Sequence, residues 1–334
     1  MTATKLACVL LAAAGWTGRP KLVPPAGMEA TLEAEGAKQK LRFRKAGTER
    51  RLLAVELDAL PRTPQAKALC LTYSLRLTGG EARAALVAFE KDAATWFRLG
   101  ARPLETGEKI EARLPLKALH KAAFSRDGGN AMDWDGVQKL WVGVVLDGKA
   151  SGELVLHSAE ITDRPYRPTR AMAIPCTDPK QWGLAHDPAA KAAVTAGNDA
   201  PGEAASVKID FAFPGGSHMY VVPSVRLADV DLTGYRALRL TYKATVPEGI
   251  GGLLVMLIER GGAQYPAEPA PATTGEWRTL TIPLKSFHRG GWSKDDNGRL
   301  DLDDVASVAV GVHGTARPAR ARGAIHVAKI ELVP

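Results

Sequence analysis

The sequence is poor in cysteine and has no apolar run long enough to cross a membrane. Only 3 of the 334 residues are cysteines. Cys70 and Cys176 are the pair that remain if the N-terminus is removed as a leader, and a disulfide between them would clamp the two halves of the chain together. We expect two unpaired, partly buried thiols instead, no metal ligation by cysteine and no membrane span.

Catalytic motifs are also lacking. No stretch has the strand–glycine–helix setting of a nucleophile elbow or a phosphate-binding loop. Glycoside cleavage needs two acids that face one cleft, whereas the outward positions of the predicted strands carry only the isolated Glu111, Asp210 and Glu259. His157 and His326, which we align with each other, have no obvious companions and are interpreted as surface residues. We therefore expect no enzymatic activity.

Nucleic-acid motifs are absent although the chain is basic, with a net charge of +8 and a pI of about 9.4. The lysines and arginines are scattered, with local clusters only at 42–51 and 317–323. No helix-turn-helix, zinc-finger or ribonucleoprotein motif accompanies them. We expect no nucleic-acid partner.

The most informative feature that is present is an internal repeat. Residues 114–145 align without a gap with residues 282–313, so that His120 falls on His288 and Gly143 on Gly311. The match extends upstream, where 68–77 aligns with 237–246, and downstream, where 156–161 aligns with 325–330. A period of about half the chain indicates two duplicated domains and not a solenoid of short repeats.

The repeat and the composition of the segments outside it divide the chain into four parts. The first residues place Lys5 ahead of a short apolar run, which favours a secretory signal peptide and hence a secreted or extracytoplasmic protein. The segment rich in proline and arginine between the repeats predicts a linker. The predicted organisation is a signal peptide at 1–17, a first module at 24–163, a linker at 164–175 and a second module at 176–334.

Alternating apolar and polar residues predict strands through most of both modules. In ALRLTYKA, Leu238, Leu240 and Tyr242 alternate with polar side chains, and the segments around 206–213, 277–284, 307–313 and 324–332 alternate in the same way. Turn-rich segments separate these strands at the spacing of a β-sandwich. Only 185–197 looks helical. The predicted fold class is all-β, with two tandem sandwiches.

The order of these segments resembles the jelly-roll carbohydrate-binding modules of the galactose-binding-like superfamily. The resemblance rests on GEWRTLTIPLKSF, the aspartate-rich loop, LDDV, a buried valine strand and a final KIEL strand, and it covers the second module better than the first. It implies a jelly-roll fold and a glycan or polysaccharide ligand.

The resemblance also raises the question of a structural calcium ion. Family members often hold one near an acidic pair in the last strand, but Lys329 stands where an acid is expected. The aspartates at 295–304 could bind calcium through oxygen ligands, but aspartate is also a common turn residue. We favour turns and expect no cofactor.

Flat aromatic side chains are the remaining candidates for a sugar site, because sugar rings pack their C–H faces on them. In the first module we predict that Trp96 and Trp141 face outward. In the second we predict a platform of Tyr220 and Tyr265, with hydrogen bonds from Lys208, Asp210 and Arg239 on neighbouring strands. We interpret Trp277 as covering an edge of the core.

The sequence therefore favours a secreted, non-catalytic protein that binds a glycan through tandem sandwich modules. Two alternatives remain. One is a structural or adhesive envelope protein that contacts a protein partner, and the other is a jelly-roll hydrolase or lyase, although the sequence has no run such as Glu-x-Asp-x-x-Glu that is typical of such glycosidases.

Overall fold

The computed structural model describes residues 21–334 except 24–26, 36–37, 59–65, 92–93, 101–102, 117–118, 126–131, 199, 204, 228–229, 248–249, 270–274 and 316–319. The predicted signal peptide at 1–17 and Asp127 of the first aspartate-rich loop lie outside the described residues. The chain divides into two compact units, Met1–Arg164 and Pro165–Pro334.

The first unit consists of two antiparallel sheets. One contains six strands in the order β1-β4-β10-β6-β7-β9 and the other contains five in the order β2-β3-β11-β5-β8. The strands are β1 (Lys21–Val23), β2 (Met28–Glu35), β3 (Lys38–Lys45), β4 (Arg51–Asp58), β5 (Ala68–Thr78), β6 (Glu81–Glu90), β7 (Thr95–Leu99), β8 (Gly107–Pro115), β9 (His120–Lys121), β10 (Val137–Asp147) and β11 (Ala150–Thr162).

The second unit also consists of two antiparallel sheets. Their orders are β14-β15-β23-β18-β21, where β12 also pairs with β23, and β13-β17-β22-β19-β20, where β16 also pairs with β22. The strands are β12 (Met172–Ile174), β13 (Trp182–Gly183), β14 (Lys191–Gly197), β15 (Ser206–Phe213), β16 (His218–Val221), β17 (Ser224–Arg226), β18 (Ala237–Thr245), β19 (Leu253–Glu259), β20 (Gln264–Ala267), β21 (Arg278–Pro283), β22 (Val305–Thr315) and β23 (Ala321–Val333).

The two units share one strand order, so the sequence repeat is a repeat of topology. In each unit the last long strand, β11 or β23, lies between the counterparts β3 and β5 or β15 and β18. The all-β tandem sandwich predicted from the sequence is therefore confirmed. The structure places β12, at the end of the predicted linker, in a sheet of the second unit.

The downstream alignment of the repeat is wrong by two residues. Val155 pairs with Ser74, and His326 pairs with Lys243 at the matching place in the second unit. His157 instead lies in the β-bulge between Leu156 and Ser158. His326 is thus the counterpart of Val155 and not of His157, because the turn before the last strand differs in length between the units.

Each unit has its own hydrophobic core between its two sheets. Leu41, Leu53, Leu86 and Leu154 are fully buried in the first, and Val207, Leu240, Val255 and Ile330 are fully buried in the second. Alternation along each strand sends these side chains inward and their polar neighbours outward. Inward and outward positions can therefore be read directly from the strand register.

The segment 185–197 is not helical. Residues 191–197 form β14, an edge strand that pairs with β15 from Lys191↔Ala212 to Gly197↔Ser206. Pairing with β15 outweighs the helix propensity of its alanines, which is a weak preference per residue. The described helical turns are short 3-10 turns at Trp134–Gly136, Pro179–Gln181, Pro201–Glu203 and Leu284–Ser286.

Both described cysteines are free thiols and are buried, as expected. Burial raises the pKa of the Cys176 thiol to about 11, so it stays protonated near neutral pH. None of the described helical segments has the length and apolar character needed to cross a bilayer.

Candidate functional site

Two of the aromatic residues predicted to face outward lie in the cores. Trp96 is 5% exposed and Tyr265 is 1% exposed. They occupy matching places, because Trp96 pairs with Ala88 on β6 and Tyr265 pairs with Leu257 on β19. A register error of one residue reverses the face of a strand residue, and the outward position on β7 belongs to Phe97. The predictions for Trp96 and Tyr265 are therefore wrong.

The platform predicted for the second unit is not formed either. Lys208, Asp210 and Arg239 lie on β15 and β18 of one sheet, whereas Tyr220 and Tyr265 lie on β16 and β20 of the other. The sequence pattern locates each strand but not the sheet to which it belongs. These five residues therefore cannot contact one flat ligand together.

Trp141 does face outward, and it belongs to a continuous row across the first unit. We call the following set the aromatic row; its members are direct cross-strand partners on the six strands of one sheet, in the order Lys21, Glu56, Trp141, Val87, Phe97 and His120. Direct partners in an antiparallel sheet have side chains on the same face. The row therefore forms one connected surface on the side of the sheet opposite the core.

Contacts with its neighbours hold the Trp141 indole in place. Its Nε1 donates a hydrogen bond of 2.8 Å to Glu56 Oε2. The Phe89 ring packs edge-on against it, with 4.7 Å between ring centroids. The Lys139 ammonium lies 4.9 Å from the Phe89 centroid and 6.0 Å from the Trp141 centroid. An indole held in this way loses little side-chain freedom when a ligand packs on it.

Glu56 supplies a fixed negative charge beside the indole. The hydrogen bond from Trp141 lowers the pKa of the Glu56 carboxyl, and the nearby Lys139 ammonium adds to the effect. Lys139 Nζ lies 3.4 Å from Glu56 Oε2. The carboxylate stays ionised at neutral pH and can accept hydrogen bonds from hydroxyl groups.

Phe97 and His120 form the other end of the aromatic row. Phe97 is 41% exposed, and its ring centroid lies 6.1 Å from that of His120. Phe97 is two strands away from Trp141, a backbone separation of about 10 Å. The row thus presents two apolar rings with hydrogen-bonding groups at both ends.

The second unit has no aromatic row at the matching place. Ser224, Ala309, Met256 and Pro266 pair across its strands there. Ala309 and Met256 are buried in a small apolar cluster with Val222 and Leu254. The duplicated face therefore differs in chemistry between the units.

Tyr220 is the outward aromatic residue on this sheet of the second unit. It is 40% exposed and pairs directly with His313. His313 Nδ1 lies 3.0 Å from His218 Nε2, and His313 Nε2 lies 3.3 Å from Glu268 Oε1. This is a polar cluster that contains a single aromatic ring apart from its imidazoles.

Trp277 occupies a different place from the one predicted. It does not cover the core but lies half-buried against outward residues of the other sheet, His326 at 6.2 Å between ring centroids and the Lys243 ammonium at 5.6 Å. In the sequence, one sign of this surface is the alternation along β18, which places Lys243 on the outward face.

The aspartate-rich loops are held by structural hydrogen bonds. In the first unit Asp133 N–H donates to Glu90 Oε1, and in the second Asp301 N–H donates to Glu259 Oε1, both at 2.6 Å. Burial raises the pKa of Glu259. Among the described residues, no group of three or more histidine, cysteine, aspartate or glutamate side chains could hold a metal ion.

The buried Tyr265 also anchors this loop. Its hydroxyl donates a hydrogen bond of 2.7 Å to Asp295 Oδ2. That hydrogen bond lowers the pKa of Asp295, and burial raises the pKa of Tyr265. A residue predicted to bind sugar instead fastens the loop to the sandwich.

The isolated acids singled out in the sequence each have a partner. Glu111 Oε2 lies 2.9 Å from Arg164 Nη2, and Asp210 Oδ1 lies 2.8 Å from Lys208 Nζ. Glu259 accepts the hydrogen bond from Asp301.

The chain is similar to several solved structures, although no family model and no curated protein matches it. The family 11 carbohydrate-binding module from Clostridium thermocellum in complex with a β-1,3-1,4-mixed-linked tetrasaccharide is 18% identical, with a TM-score of 0.38 over 50% of this chain and 96% of that one. The tandem CBM22-1–CBM22-2 domain from Paenibacillus barcinonensis Xyn10C is 11% identical, with a TM-score of 0.31 over 94% of this chain and 93% of that one. Carbohydrate-binding modules, which the sequence resembles, are thus among its structural neighbours.

Proposed function

We propose that this is a non-catalytic protein that binds a glycan through the aromatic row of its first unit. The observation that carries the proposal is the direct cross-strand alignment of Trp141 and Phe97 on one outward face, with Glu56 and His120 beside them. Sugars combine apolar C–H faces with a rim of hydroxyl groups. A surface that binds them needs flat rings and hydrogen-bonding groups side by side.

Four members of the row and the neighbouring Lys139 have a role in this proposal. Trp141 and Phe97 pack against two sugar rings, and the Val87 side chain between them keeps the floor apolar. The Glu56 carboxylate accepts hydrogen bonds from sugar hydroxyls, while Lys139 donates. The hydrogen bond to Glu56 orients the indole before binding, so the Trp141 side chain loses little further rotational freedom when a sugar packs on it.

Removal of either ring tests this function. A glycan array on the mature chain identifies a ligand, and isothermal titration then compares the wild type with Trp141→Ala and Phe97→Ala. Loss of one stacking ring is expected to weaken binding by about 1–3 kcal/mol, the range that burial of an aromatic face supplies. Unchanged affinity in both variants would overturn the proposal.

The matched control is Trp292→Ala. Trp292 is 64% exposed but belongs to the loop of the second unit, so its removal is expected to leave this affinity unchanged.

Phe124 occupies the place in the first unit that matches Trp292 and is 76% exposed. These two exposed rings favour the alternative of an adhesive protein contact; that alternative would gain support if their loss abolished cell-surface attachment while glycan binding persisted.

Absence of catalysis and export from the cytoplasm are parts of the same proposal. Incubation with a panel of polysaccharides is expected to release neither new reducing ends nor unsaturated products. The segment 1–17 is proposed to direct secretion, so the exported protein should begin near residue 18. Mass spectrometry of the exported protein would reveal a retained N-terminus.

A further inference from the structure

The outward face of one sheet in the second unit is strongly basic. We call this surface, made by β14, β15, β23, β18 and β21, the basic face. Its strands carry the outward cations Lys191, Lys208, Arg239, Lys243, Arg322 and Lys329. The outward carboxylates described on the same strands are Asp210 and Glu331. Cations therefore clearly outnumber carboxylates there, even with Glu276 in the turn before β21.

This excess is not a general property of the sheet. The matching face of the first unit carries the described cations Lys38, Lys40, Arg42, Arg44, Arg76 and Arg113 and the carboxylates Glu29, Glu33, Glu111, Glu153 and Glu160. Arg42, for example, forms ion pairs with both Glu33 and Glu153. The two units share a topology, so the charge difference belongs to the side chains of the second unit.

The basic face also contains a flat apolar ring. His326 pairs directly with Lys208 on one side and with Lys243 on the other. Trp277 lies against two of these residues, with its ring centroid 5.6 Å from Lys243 Nζ and 6.2 Å from the His326 centroid. A sugar that packs on Trp277 would therefore lie beside an ammonium group.

We propose that the basic face is a second binding site and that its ligand is a polysaccharide of uronic acids. The Trp277 ring contacts one sugar, and Lys243 and Lys208 bind the carboxylates of neighbouring sugars. This site lies in the other unit from the aromatic row, and it does not depend on glycan binding there.

The carboxylates on the basic face favour a uronic-acid chain over a nucleic acid. Asp210 lies 2.8 Å from Lys208, and Glu331 lies 2.8 Å from Lys329 and 3.6 Å from Arg239. Sugar hydroxyls can donate hydrogen bonds to these acceptors, whereas the sugar–phosphate backbone of DNA has no hydroxyl group to donate. The six cations are spread over four strands, and this spacing suits one carboxylate per sugar better than the dense charge of a sulfated chain.

Titration of the full chain with a galacturonic acid oligomer tests the proposal. We expect saturable binding that weakens as salt increases and that is lost with the methyl-esterified oligomer, which keeps the rings but removes their charge. Trp277→Ala is expected to weaken binding about tenfold, and Lys243→Gln about two- to fivefold, as for an exposed charge pair.

Two control variants test whether the oligomer binds at the basic face and not elsewhere on the chain. Lys40→Gln changes the lysine of the first unit that pairs with Val155 as Lys208 pairs with His326, and it should leave the affinity unchanged. Trp292→Ala, which removes an exposed indole from a loop of the same unit, should also leave it unchanged. The proposal is overturned by equal binding of the methyl ester, by equally strong binding of single-stranded DNA or a sulfated glycan, or by an effect of Lys40→Gln as large as that of Lys243→Gln.

Discussion

Glu259 and Glu90 are single residues on which a whole loop depends. Each lies at the end of a strand, is buried, and accepts the backbone hydrogen bond of an aspartate that begins the last turn before β22 or β10. Without the carboxyl oxygen the aspartate N–H would be left without its acceptor, which is costly in a buried site. The first unit keeps this hydrogen bond, although two aspartates of the second loop, Asp296 and Asp304, align with glycine in the first.

We predict opposite outcomes for two substitutions at Glu259. Glu259→Ala removes the acceptor and is expected to lower the free energy of unfolding by about 1–3 kcal/mol. Glu259→Gln keeps an oxygen acceptor and is expected to be neutral or stabilising at pH 7, because burial disfavours the charged carboxylate. Urea denaturation followed by circular dichroism measures both.

The same site gives a pH dependence with a defined sign. Because the folded-state pKa of Glu259 lies above its ordinary value of 4.5, the unfolded chain loses this proton first as the pH rises. The contribution of Glu259 is complete below pH 4.5 and declines as the pH rises through the folded-state pKa. In Glu259→Gln this decline should disappear; a parallel pH profile in both proteins would contradict the assignment.

At the scale of elements, a glycine in each unit lets neighbouring strands of one sheet approach each other closely. A Cβ at Gly143 would lie 2.1 Å from the Leu53 carbonyl oxygen, and a Cβ at Gly311 would lie 1.9 Å from the Val221 carbonyl oxygen. Both contacts are to backbone atoms, which cannot move aside as a flexible side chain would. The repeat therefore preserves a packing requirement between these two neighbouring strands.

We predict that Gly143→Ala and Gly311→Ala each lower the free energy of unfolding by about 3 kcal/mol or more, because the strand pair must separate to admit the methyl group. Gly291→Ala is the control, since no atom lies within 4 Å of its Cβ position apart from those of its two chain neighbours. Thermal unfolding of the three variants compares them, and a control variant as unstable as the other two would show that the steric contact is not the cause.

The two units differ at one element for a clear reason. The first has an unbroken β4 that pairs with β10 through Val55↔Val142. The second has β16 and β17 in its place, separated at Val222 and Pro223. Proline has no N–H to donate to a ladder, so the strand is interrupted there and Val222 N–H donates to Ala185 O instead.

For the molecule as a whole, two separate cores predict two separate folding units. Buried residues of the first core come from β3 to β11, and those of the second include β12 to β23. We predict that 21–164 and 165–334, which keep β1 and β12 with their sheets, each unfold cooperatively and keep near-UV circular dichroism when produced separately. A half that is expanded and binds a hydrophobic dye when alone would contradict this, and the full chain would then need both halves to fold.

The sequence by itself determined the duplication, the all-β class and the inward or outward position of most residues. These features depend on local alternation and on similarity between two stretches of one chain, both of which are present before any pairing occurs. Trp141 and Tyr220 face outward as the alternation predicts.

Tertiary structure alone decided which residues meet. Trp96 and Phe97 exchange faces through a shift of one residue, and pairing with β6 determines that register. Tyr220 and Lys208 lie on different sheets because strand order is non-local, and β14 is a strand because β15 lies beside it. The aromatic row from Glu56 to His120 and the contacts of Trp277 join residues that are far apart in the chain. Only the pairing of distant strands brings such residues together, and a local sequence pattern does not determine that pairing.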